Sequence, residues 1–243
     1  MRPLLLAIQF LTRLPLPSVQ GSPRDMGRSL PYYPLVGLLI GGLLLGLATL
    51  LAHLPPMTLA ALLLVFWVLI TGGLHLDGLA DSADAWLGGY GDRERSLAIM
   101  KDPRCGPAGV IALVLVLLLK FAALHGLLAG QNLAPLLIAP LLGRGVLPLL
   151  FLTTPYVRRG GLGQALSEQL PRKTAWLALA VTFAGLAWLA PRDAGLSLAA
   201  SVPVFLWLRR LMMKRLGGTT GDTAGALTEL TETAILLAPL VLN

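Results

Sequence analysis

The chain has 243 residues, of which 56% are hydrophobic and only 13% are charged, and its mean hydropathy is +0.76. Soluble domains carry about 25% charged residues, so this composition excludes an ordinary soluble domain and a disordered chain. The single cysteine, Cys105, cannot form an internal disulfide, which excludes a disulfide-stapled scaffold. The net charge of +7 is interpreted first as a sign of membrane topology, and no nucleic-acid partner is predicted.

The hydropathy pattern predicts a polytopic membrane protein. From Ser29 to Leu76 the chain has no Asp, Glu, Lys or Arg, a stretch more than twice as long as the roughly 20 apolar residues that cross a bilayer. The segments are rich in Leu and Ala, which indicates helices and not the alternating strands of a barrel. Seven apolar segments lie near residues 33–54, 57–74, 107–128, 133–153, 175–190, 195–208 and 224–242. The predicted fold class is all-α, a bundle of about seven transmembrane helices in one membrane domain, residues 1–243.

The first thirty residues precede the first long apolar segment. The apolar stretch from Leu4 to Leu11 has no small-residue cleavage site and is followed at once by arginine and proline, which argues against a signal peptide. We therefore expect residues 1–30 to form an interfacial or re-entrant amphipathic segment. Further along, Pro55-Pro56 interrupts the longest apolar stretch, which predicts a helical hairpin there.

Basic residues mark alternate loops between the predicted helices. All except Lys120, Arg144 and Arg192 fall into four such groups: Arg2, Arg13, Arg24 and Arg28; Arg93, Arg95, Lys101 and Arg104; Arg158, Arg159, Arg172 and Lys173; Arg209, Arg210, Lys214 and Arg215. Because Lys and Arg accumulate in short cytoplasmic loops, this alternation predicts a cytoplasmic amino terminus and an outside carboxyl terminus.

Acidic residues concentrate between the second and third predicted helices. Six of the twelve lie there: Asp77, Asp81, Asp84, Asp92, Glu94 and Asp102. Asp77, Asp81 and Asp84 are spaced i, i+4 and i+7, so on a helix they share one face and repel one another. A divalent cation would relieve this repulsion, and carboxylate ligands favour Mg²⁺ or Mn²⁺. We predict that residues 75–106 are an Asp-rich cytoplasmic catalytic loop; a solvated acidic helix end is the alternative.

A second polar group lies before the last apolar segment. It contains glycines, threonines and Asp222, followed by Glu229 and Glu232. A glycine-rich backbone that opens a helix aims N–H groups at an anion, so Gly221 and Thr223 are candidate phosphate ligands. The alternative is that Asp222 only caps the last helix. Residues 209–232 are predicted to form a second cytoplasmic catalytic loop.

Other ionisable residues are weaker candidates for the site. His75 is a candidate base or ligand, and Lys101 and Arg104 are candidate phosphate-binding cations beside Asp102. The remaining loop cations, Arg158 and Arg159 among them, are interpreted as topological. Arg144, between two glycines, is placed to reach an interior anion, and Lys120 is expected to snorkel or to pair.

Clustered aspartates and nearby cations, without a nucleophile motif, indicate metal-assisted substitution at a pyrophosphate. Four blocks of sequence, in order, resemble the cobalamin synthase (adenosylcobinamide-GDP ribazoletransferase) family. These blocks are residues 10–15 with 33–37, 77–85, 99–109 and 221–226. The resemblance extends over nearly the whole chain.

The resemblance implies a late step of vitamin B12 assembly. A hydroxyl of α-ribazole, or of its 5′-phosphate, attacks the cobinamide-side phosphorus of adenosylcobinamide-GDP, and GMP leaves. It implies an Mg²⁺ enzyme of the bacterial or archaeal inner membrane, multi-pass, with its active face in the cytoplasm. Carried onto this chain, the resemblance implies Asp77, Asp81 and Asp84 as metal ligands, with Asp84, Asp102 and Asp222 as the candidate catalytic groups, of which Asp102 and Asp222 would be further ligands or the base. The lipid bilayer is a partner, and the resemblance leaves room for a homo-oligomer and for contact with other cobalamin-assembly enzymes.

Two other functions stay open on the residues alone. A CDP-alcohol phosphotransferase would also place aspartates at a membrane face, but the second half of that family's aspartate motif is missing here. A membrane transporter would use intramembrane ions along a permeation path. Against a transporter, the acids lie at one face and no inverted repeat is visible.

Overall fold

A computed structural model describes residues 2–158, 160 and 162–242 of the chain; Arg159, one of the predicted loop cations, lies outside the described residues. Within these residues the secondary structure is helical. The helices in chain order are α1 (Arg2–Leu11), α2 (Pro23–Ser29), α3 (Tyr33–Leu50), α4 (Pro56–Thr71), α5 (Leu74–Gly88), α6 (Arg93–Ile99), α7 (Pro107–Ala129), α8 (Ala134–Thr153), α9 (Leu162–Glu168), α10 (Arg172–Leu189), α11 (Pro191–Leu216) and α12 (Gly221–Val241).

The predicted all-α polytopic class is confirmed. Each of the seven predicted apolar segments coincides with a helix, and α3 and α4 form the hairpin expected around Pro55 and Pro56. Among the described residues, five helical stretches are long and apolar enough to cross a membrane: Pro23–Leu50, α7, α8, α11 and α12. The bent pair α4 and α5 would make six, and α10 does not belong to this set. Orientation in the membrane remains a prediction.

The two segments predicted as catalytic loops contain helices. The segment 75–106 contains α5 and α6, as the helical spacing of its aspartates indicates, and the segment 209–232 is helical on both sides of a four-residue connection, residues 217–220. Helix α11 continues past the apolar segment to Leu216, and Arg209 and Arg215 in this extension donate hydrogen bonds to backbone carbonyls of neighbouring helices. It ends at Gly217, whose φ of +73° is a left-handed conformation that glycine adopts without strain.

A sharp bend between α4 and α5 sets the direction of the acidic helix. Gly72 ends α4 and Gly73 precedes α5, with φ values of +63° and +67°. Side chains with a Cβ rarely adopt this conformation, so the Gly-Gly pair allows the chain to turn within two residues. The two helix axes differ by 88°. Helix α5 therefore turns across the end of the bundle.

Helices α8 and α12 form the centre of the bundle. In the most apolar 18-residue stretch of each helix, 78% of the residues of α8 and 72% of those of α12 are buried, whereas the fraction is 28% for both α7 and α11. Large apolar side chains on the outer face of α7 are exposed, including Val110, Ile111 and Leu118. An exposed apolar face on a long apolar helix is typical of contact with lipid.

A buried network of four charges joins α7, α8 and α12. Lys120 Nζ lies 2.6 Å from both Glu229 Oε2 and Glu232 Oε2, and the Arg144 guanidinium pairs with Glu232. Lys120 also lies 4.6 Å from the centroid of the Trp67 ring on α4. The expectation that Arg144 reaches an interior anion is confirmed, and of the two alternatives for Lys120 the structure shows pairing, with glutamates. Two cations and two anions leave the network neutral, which allows it to exist in an apolar interior.

Small residues let α5 and α12 cross closely. A Cβ on Gly78 would lie 2.7 Å from the carbonyl oxygen of Asp222 and 3.0 Å from its Cα. A Cβ on Gly225 would lie 3.2 Å from the Cα of His75. Membrane helices commonly use small residues where backbones meet. This crossing brings the start of α12 beside the aspartates of α5.

The network predicts an unequal effect of its two glutamates on stability. Glu232→Gln removes the carboxylate that pairs with Arg144, which is 0% exposed. Breaking a buried ion pair costs about 3–5 kcal/mol, so we expect the thermal unfolding midpoint in detergent to fall by many degrees. Glu229→Gln leaves Glu232 between Lys120 and Arg144 and is expected to cost less. A wild-type midpoint for Glu232→Gln would contradict a stabilising network.

The close helix crossing predicts that a single added methyl group lowers the stability of the protein. Gly78→Ala places that methyl group against the backbone of α12, which cannot rotate away, and overpacking of this kind costs about 1–3 kcal/mol. Gly42→Ala is the matched control, because a Cβ on that glycine of α3 has no neighbour within 4 Å. Thermal unfolding should separate the two variants, and equal midpoints would contradict the close crossing.

Candidate active site

A cavity of about 450 Å³ lies where α5 and α12 begin. Its polar wall contains His75, Asp77, Lys101, Arg158 and Asp222. Its apolar wall includes two stacked aromatic pairs, Phe10 with Tyr33 and Phe151 with Tyr156. A small-molecule site commonly has this form, a largely apolar hollow of roughly 300–1,000 Å³ with a few convergent polar groups.

Aspartates from two helices meet at this cavity. Asp77 and Asp81 lie one turn apart on α5, and Asp222 lies in the first turn of α12, where the helix dipole favours a carboxylate. Asp81 is within electrostatic range of Asp77, Asp84 and Asp222. Asp77 is exposed and Asp81 is half-buried, so both are accessible from the polar end of the bundle. Among the described residues, no three acidic, histidine or cysteine side chains converge closely enough to enclose a metal ion by themselves.

Arg158 is the cation that faces these aspartates. Its Nη1 lies 2.8 Å from Asp222 Oδ2. The loop that carries it is joined to the start of α12 by two backbone hydrogen bonds, from Val157 N to the Thr219 carbonyl at 3.0 Å and from Thr219 N to the Pro155 carbonyl at 2.8 Å. Arg158 was interpreted as topological, and the structure places it in the site instead. Sequence spacing gave no signal for this, because 63 residues separate it from its partner.

Asp84 has a different environment from the other two aspartates of α5. Its Oδ2 accepts a hydrogen bond from Gly106 N at 2.7 Å, and its Oδ1 accepts one from Gly109 N at 2.9 Å. It therefore satisfies backbone donors at the start of α7, which is the usual role of an N-terminal cap. A Cβ on either glycine would press against the Asp84 carboxylate, so a side chain there would force that carboxylate to move.

Only part of the segment 101–104 reaches the cavity. Lys101 lines it, whereas Asp102 and Arg104 form an ion pair with each other, Nη2 to Oδ2 at 2.7 Å, outside the lining. Hydrogen bonds from the Arg104 side chain and backbone lower the pKa of Asp102 to about 2. The structure therefore does not bring the predicted catalytic Asp102 or the predicted ligand Arg104 into the site, because their charges satisfy each other locally.

The start of α12 differs in detail from the prediction. Thr220, not Asp222, is the N-cap, and it shares a capping box with Thr223: Thr223 N donates to Thr220 Oγ1 and Thr220 N donates to Thr223 Oγ1. Thr223 is buried, and this capping role takes it out of the cavity lining. Gly221 does line the cavity, as predicted. Capping leaves the carboxylate of Asp222 to face Arg158 and the cavity.

His75 lies in the cavity wall and is 5% exposed. Its Nδ1 has no hydrogen-bond partner among the described residues. In the same cavity wall, burial raises the pKa of Tyr156, so this phenol stays protonated as a neutral donor. Phe10 and Tyr33 lie in blocks that carry the family resemblance, but no local spacing indicates that the four rings meet, because they come from three distant parts of the chain.

Basic side chains stabilise the helix ends around the cavity. Arg172 and Arg209 donate to the carbonyls of Leu152 and Thr153 at the end of α8, at 2.8 and 2.6 Å. Arg215 Nη1 donates to the Trp86 carbonyl near the end of α5 at 2.7 Å. Cations at helix carboxyl ends are favourable, and here they hold members of two of the predicted basic groups at one end of the bundle.

Comparison with known proteins identifies the family. A family model described as cobalamin-5-phosphate synthase matches residues 3–240. A protein of Pseudomonas fluorescens strain Pf0-1 named adenosylcobinamide-GDP ribazoletransferase is 60% identical over 98% of this chain and 98% of its own. Proteins of the same name from Pseudomonas paraeruginosa strain PA7 and Pseudomonas aeruginosa strain PAO1 are 59% and 58% identical, over 97% and 98% of this chain and 96% and 97% of their own.

No solved structure matches the chain. The sequence matches nevertheless run from end to end, with relatives of nearly equal length, so they cover α1 to α12 together with the aspartate cavity. The CDP-alcohol phosphotransferase and transporter interpretations have no comparable support. The chain belongs to the cobalamin-5-phosphate synthase family.

Proposed function

We propose that this chain joins adenosylcobinamide-GDP to α-ribazole, or to α-ribazole 5′-phosphate, with release of GMP. The product is adenosylcobalamin or its 5′-phosphate. Relatives 58 to 60% identical over nearly the whole chain carry the name of this activity. The observation that carries the proposal is the cavity in which Asp77 and Asp222 face Lys101 and Arg158 at the polar end of an apolar bundle.

The reaction is a substitution at phosphorus. A ribose hydroxyl oxygen forms a bond to the cobinamide-side phosphorus, and the bond from that phosphorus to the bridging oxygen breaks. GMP leaves with the electron pair of that bond. The hydroxyl proton passes to an aspartate of the cavity and then to water, so that atoms and charge balance without an oxidant or a reductant.

The residues of the cavity fit these tasks. Lys101 and Arg158 are cations that can hold phosphate oxygens, and an arginine has five donors, of which the contact with Asp222 uses one. Asp77 and Asp222 line the cavity and Asp81 lies one turn along α5, and these carboxylates are able to orient the hydroxyl and accept its proton. The cavity is half open, so bound substrates together with its apolar wall would exclude the water that competes with the ribose hydroxyl for the phosphorus.

The same three aspartates fit a magnesium ion. Asp77, Asp81 and Asp222 outnumber the cations Arg158 and Lys101, so negative charge is left in excess. Mg²⁺ keeps several waters and is held by one or two carboxylates together with substrate phosphates, so a site that closes only partly by itself suits it. When bound, the ion would neutralise charge on the phosphate oxygens. Asp84, first predicted as a ligand, is better suited to hold the start of α7 beside this group, since both its oxygens accept backbone hydrogen bonds.

We also propose that the protein lies in the inner membrane with this cavity on the cytoplasmic side. The basic groups that surround the cavity support this orientation, because cytoplasmic loops are rich in Lys and Arg. In this orientation the nucleotide-bearing substrate reaches the aspartates from the cytoplasm.

The direct test is GMP release from detergent-purified protein given adenosylcobinamide-GDP and α-ribazole. We expect GMP and adenosylcobalamin to form in equal amounts with Mg²⁺ and neither to form with EDTA. Folded protein that releases no GMP with Mg²⁺ present would contradict the proposed reaction. GMP release that persists in EDTA would contradict only the metal.

Substituting the aspartates one at a time should distinguish those needed for activity at the cavity from those outside it. Asp77→Asn, Asp81→Asn and Asp222→Asn are each expected to lower kcat at least about 100-fold, since each removes a charge needed at the reacting phosphate. Asp193→Asn, in the first turn of α11 and so far from the cavity, is the matched control. The kcat of Asp102→Asn should stay within about threefold of wild type, because the Asp102 carboxylate forms an ion pair with Arg104. Loss of activity in Asp102→Asn comparable with Asp222→Asn would contradict this division.

A further inference from the structure

A polar groove adjoins the active-site cavity. It consists of two hollows of about 330 and 450 Å³, and both are lined by Arg93, Val157 and Arg158. The larger hollow is also lined by Lys101, which together with Arg158 lines the active-site cavity. Lys101 and Arg158 thus stand where the groove and the cavity meet.

The groove carries an arrangement of cations held by the fold. Arg93 Nε donates to the Leu216 carbonyl at the end of α11 at 2.8 Å, which fixes the guanidinium at the groove while it also pairs with Glu94. Arg158 is fixed by Asp222. Each arginine keeps further N–H donors for a ligand, and planar guanidinium groups bind phosphate oxygens well.

The two spaces differ in the chemistry of their walls. The active-site cavity has the stacked aromatic pairs, whose ring centroids lie 6.2 and 6.0 Å apart, and such surfaces suit a flat uncharged base. The groove shares only Tyr156 with this aromatic wall; it is lined by Arg93, Lys101 and Arg158 together with Glu94 and Glu168, and its cations suit a charged phosphate chain. The diphosphate of one substrate and the flat base of the other would therefore prefer different spaces.

We propose that the groove binds the guanosine diphosphate end of the donor and that the aromatic cavity takes the α-ribazole acceptor. This inference rests on the proposed function. The pyrophosphate lies at Lys101 and Arg158, between the two spaces, and the GMP half extends along Arg93. Each hollow has a volume within the range of about 300–1,000 Å³ that is usual for small-ligand sites. The corrin ring of the donor is much larger and would remain outside both hollows.

The experiment measures binding of GMP to the purified full-length protein by calorimetry, together with the KM of each substrate. Arg93→Gln is expected to weaken GMP binding and to raise the KM for adenosylcobinamide-GDP, each by about tenfold or more, because a hydrogen bond to a charged group is lost. The KM for α-ribazole should not change. Arg95→Gln is the matched control: it lies on the same helix, but its guanidinium lies 5.1 Å from the ring centroid of Tyr90.

A second variant guards against a folding effect of Arg93, which also contacts α11. Ala98→Trp fills the larger hollow from an exposed position and leaves every charge in place, and it should weaken GMP binding in the same way. Wild-type GMP affinity in both variants of an active enzyme would overturn the inference. A rise in KM confined to α-ribazole 5′-phosphate would also overturn it, since the groove would then hold the acceptor's phosphate. An inactive wild-type enzyme would instead contradict the proposed function.

Discussion

The close crossing of α5 and α12 is the constraint on which the site depends. A Cβ on Gly78 would clash with the backbone of α12, and a Cβ on Gly225 would be packed tightly against the backbone of α5. Because of this contact, Asp222 at the start of α12 lies beside Asp77 and Asp81 of α5, although more than 140 residues separate them in sequence. The sharp turn at Gly72 and Gly73 aims α5 across the bundle end, so the two pairs of glycines together create the acidic centre.

The bundle keeps its two sets of charges apart. Lys120, Arg144, Glu229 and Glu232 neutralise one another in the apolar interior, where an unpaired charge would be costly. Nearer the polar end, the carboxylates of Asp77, Asp81 and Asp222 lie near the cations Arg158 and Lys101, so negative charge remains in excess. A neutral interior suits a stable scaffold, and an unbalanced accessible cluster suits binding of a cation and a phosphate chain. On α12, Glu229 and Glu232 thus belong to the buried network, whereas Asp222 belongs to the cavity.

Much of the fold could be predicted because hydropathy is a local signal. All seven apolar segments are helical, and the i, i+4, i+7 spacing of the α5 aspartates correctly indicates one helix. The features that the sequence did not indicate depend on partners distant in sequence. Asp84 reaches the start of α7, Arg158 reaches Asp222, and the aromatic wall combines three distant parts of the chain. Asp102 lies outside the cavity lining for the opposite reason, since its partner Arg104 is two residues away and satisfies it. The predicted segment 195–208 is shorter than α11 because its bounds were set at charged residues, and a helix can continue through charged residues.

The most direct test of this account is binding of Mn²⁺, a spectroscopic substitute for Mg²⁺ at carboxylate sites, measured by electron paramagnetic resonance on purified protein. The account predicts that Asp77→Asn on α5 and Asp222→Asn on α12 both weaken binding, because one ion is held between the two helices. Asp193→Asn should bind Mn²⁺ as the wild type does. Wild-type Mn²⁺ affinity in Asp222→Asn would contradict a shared site and, with it, the functional meaning of the helix crossing.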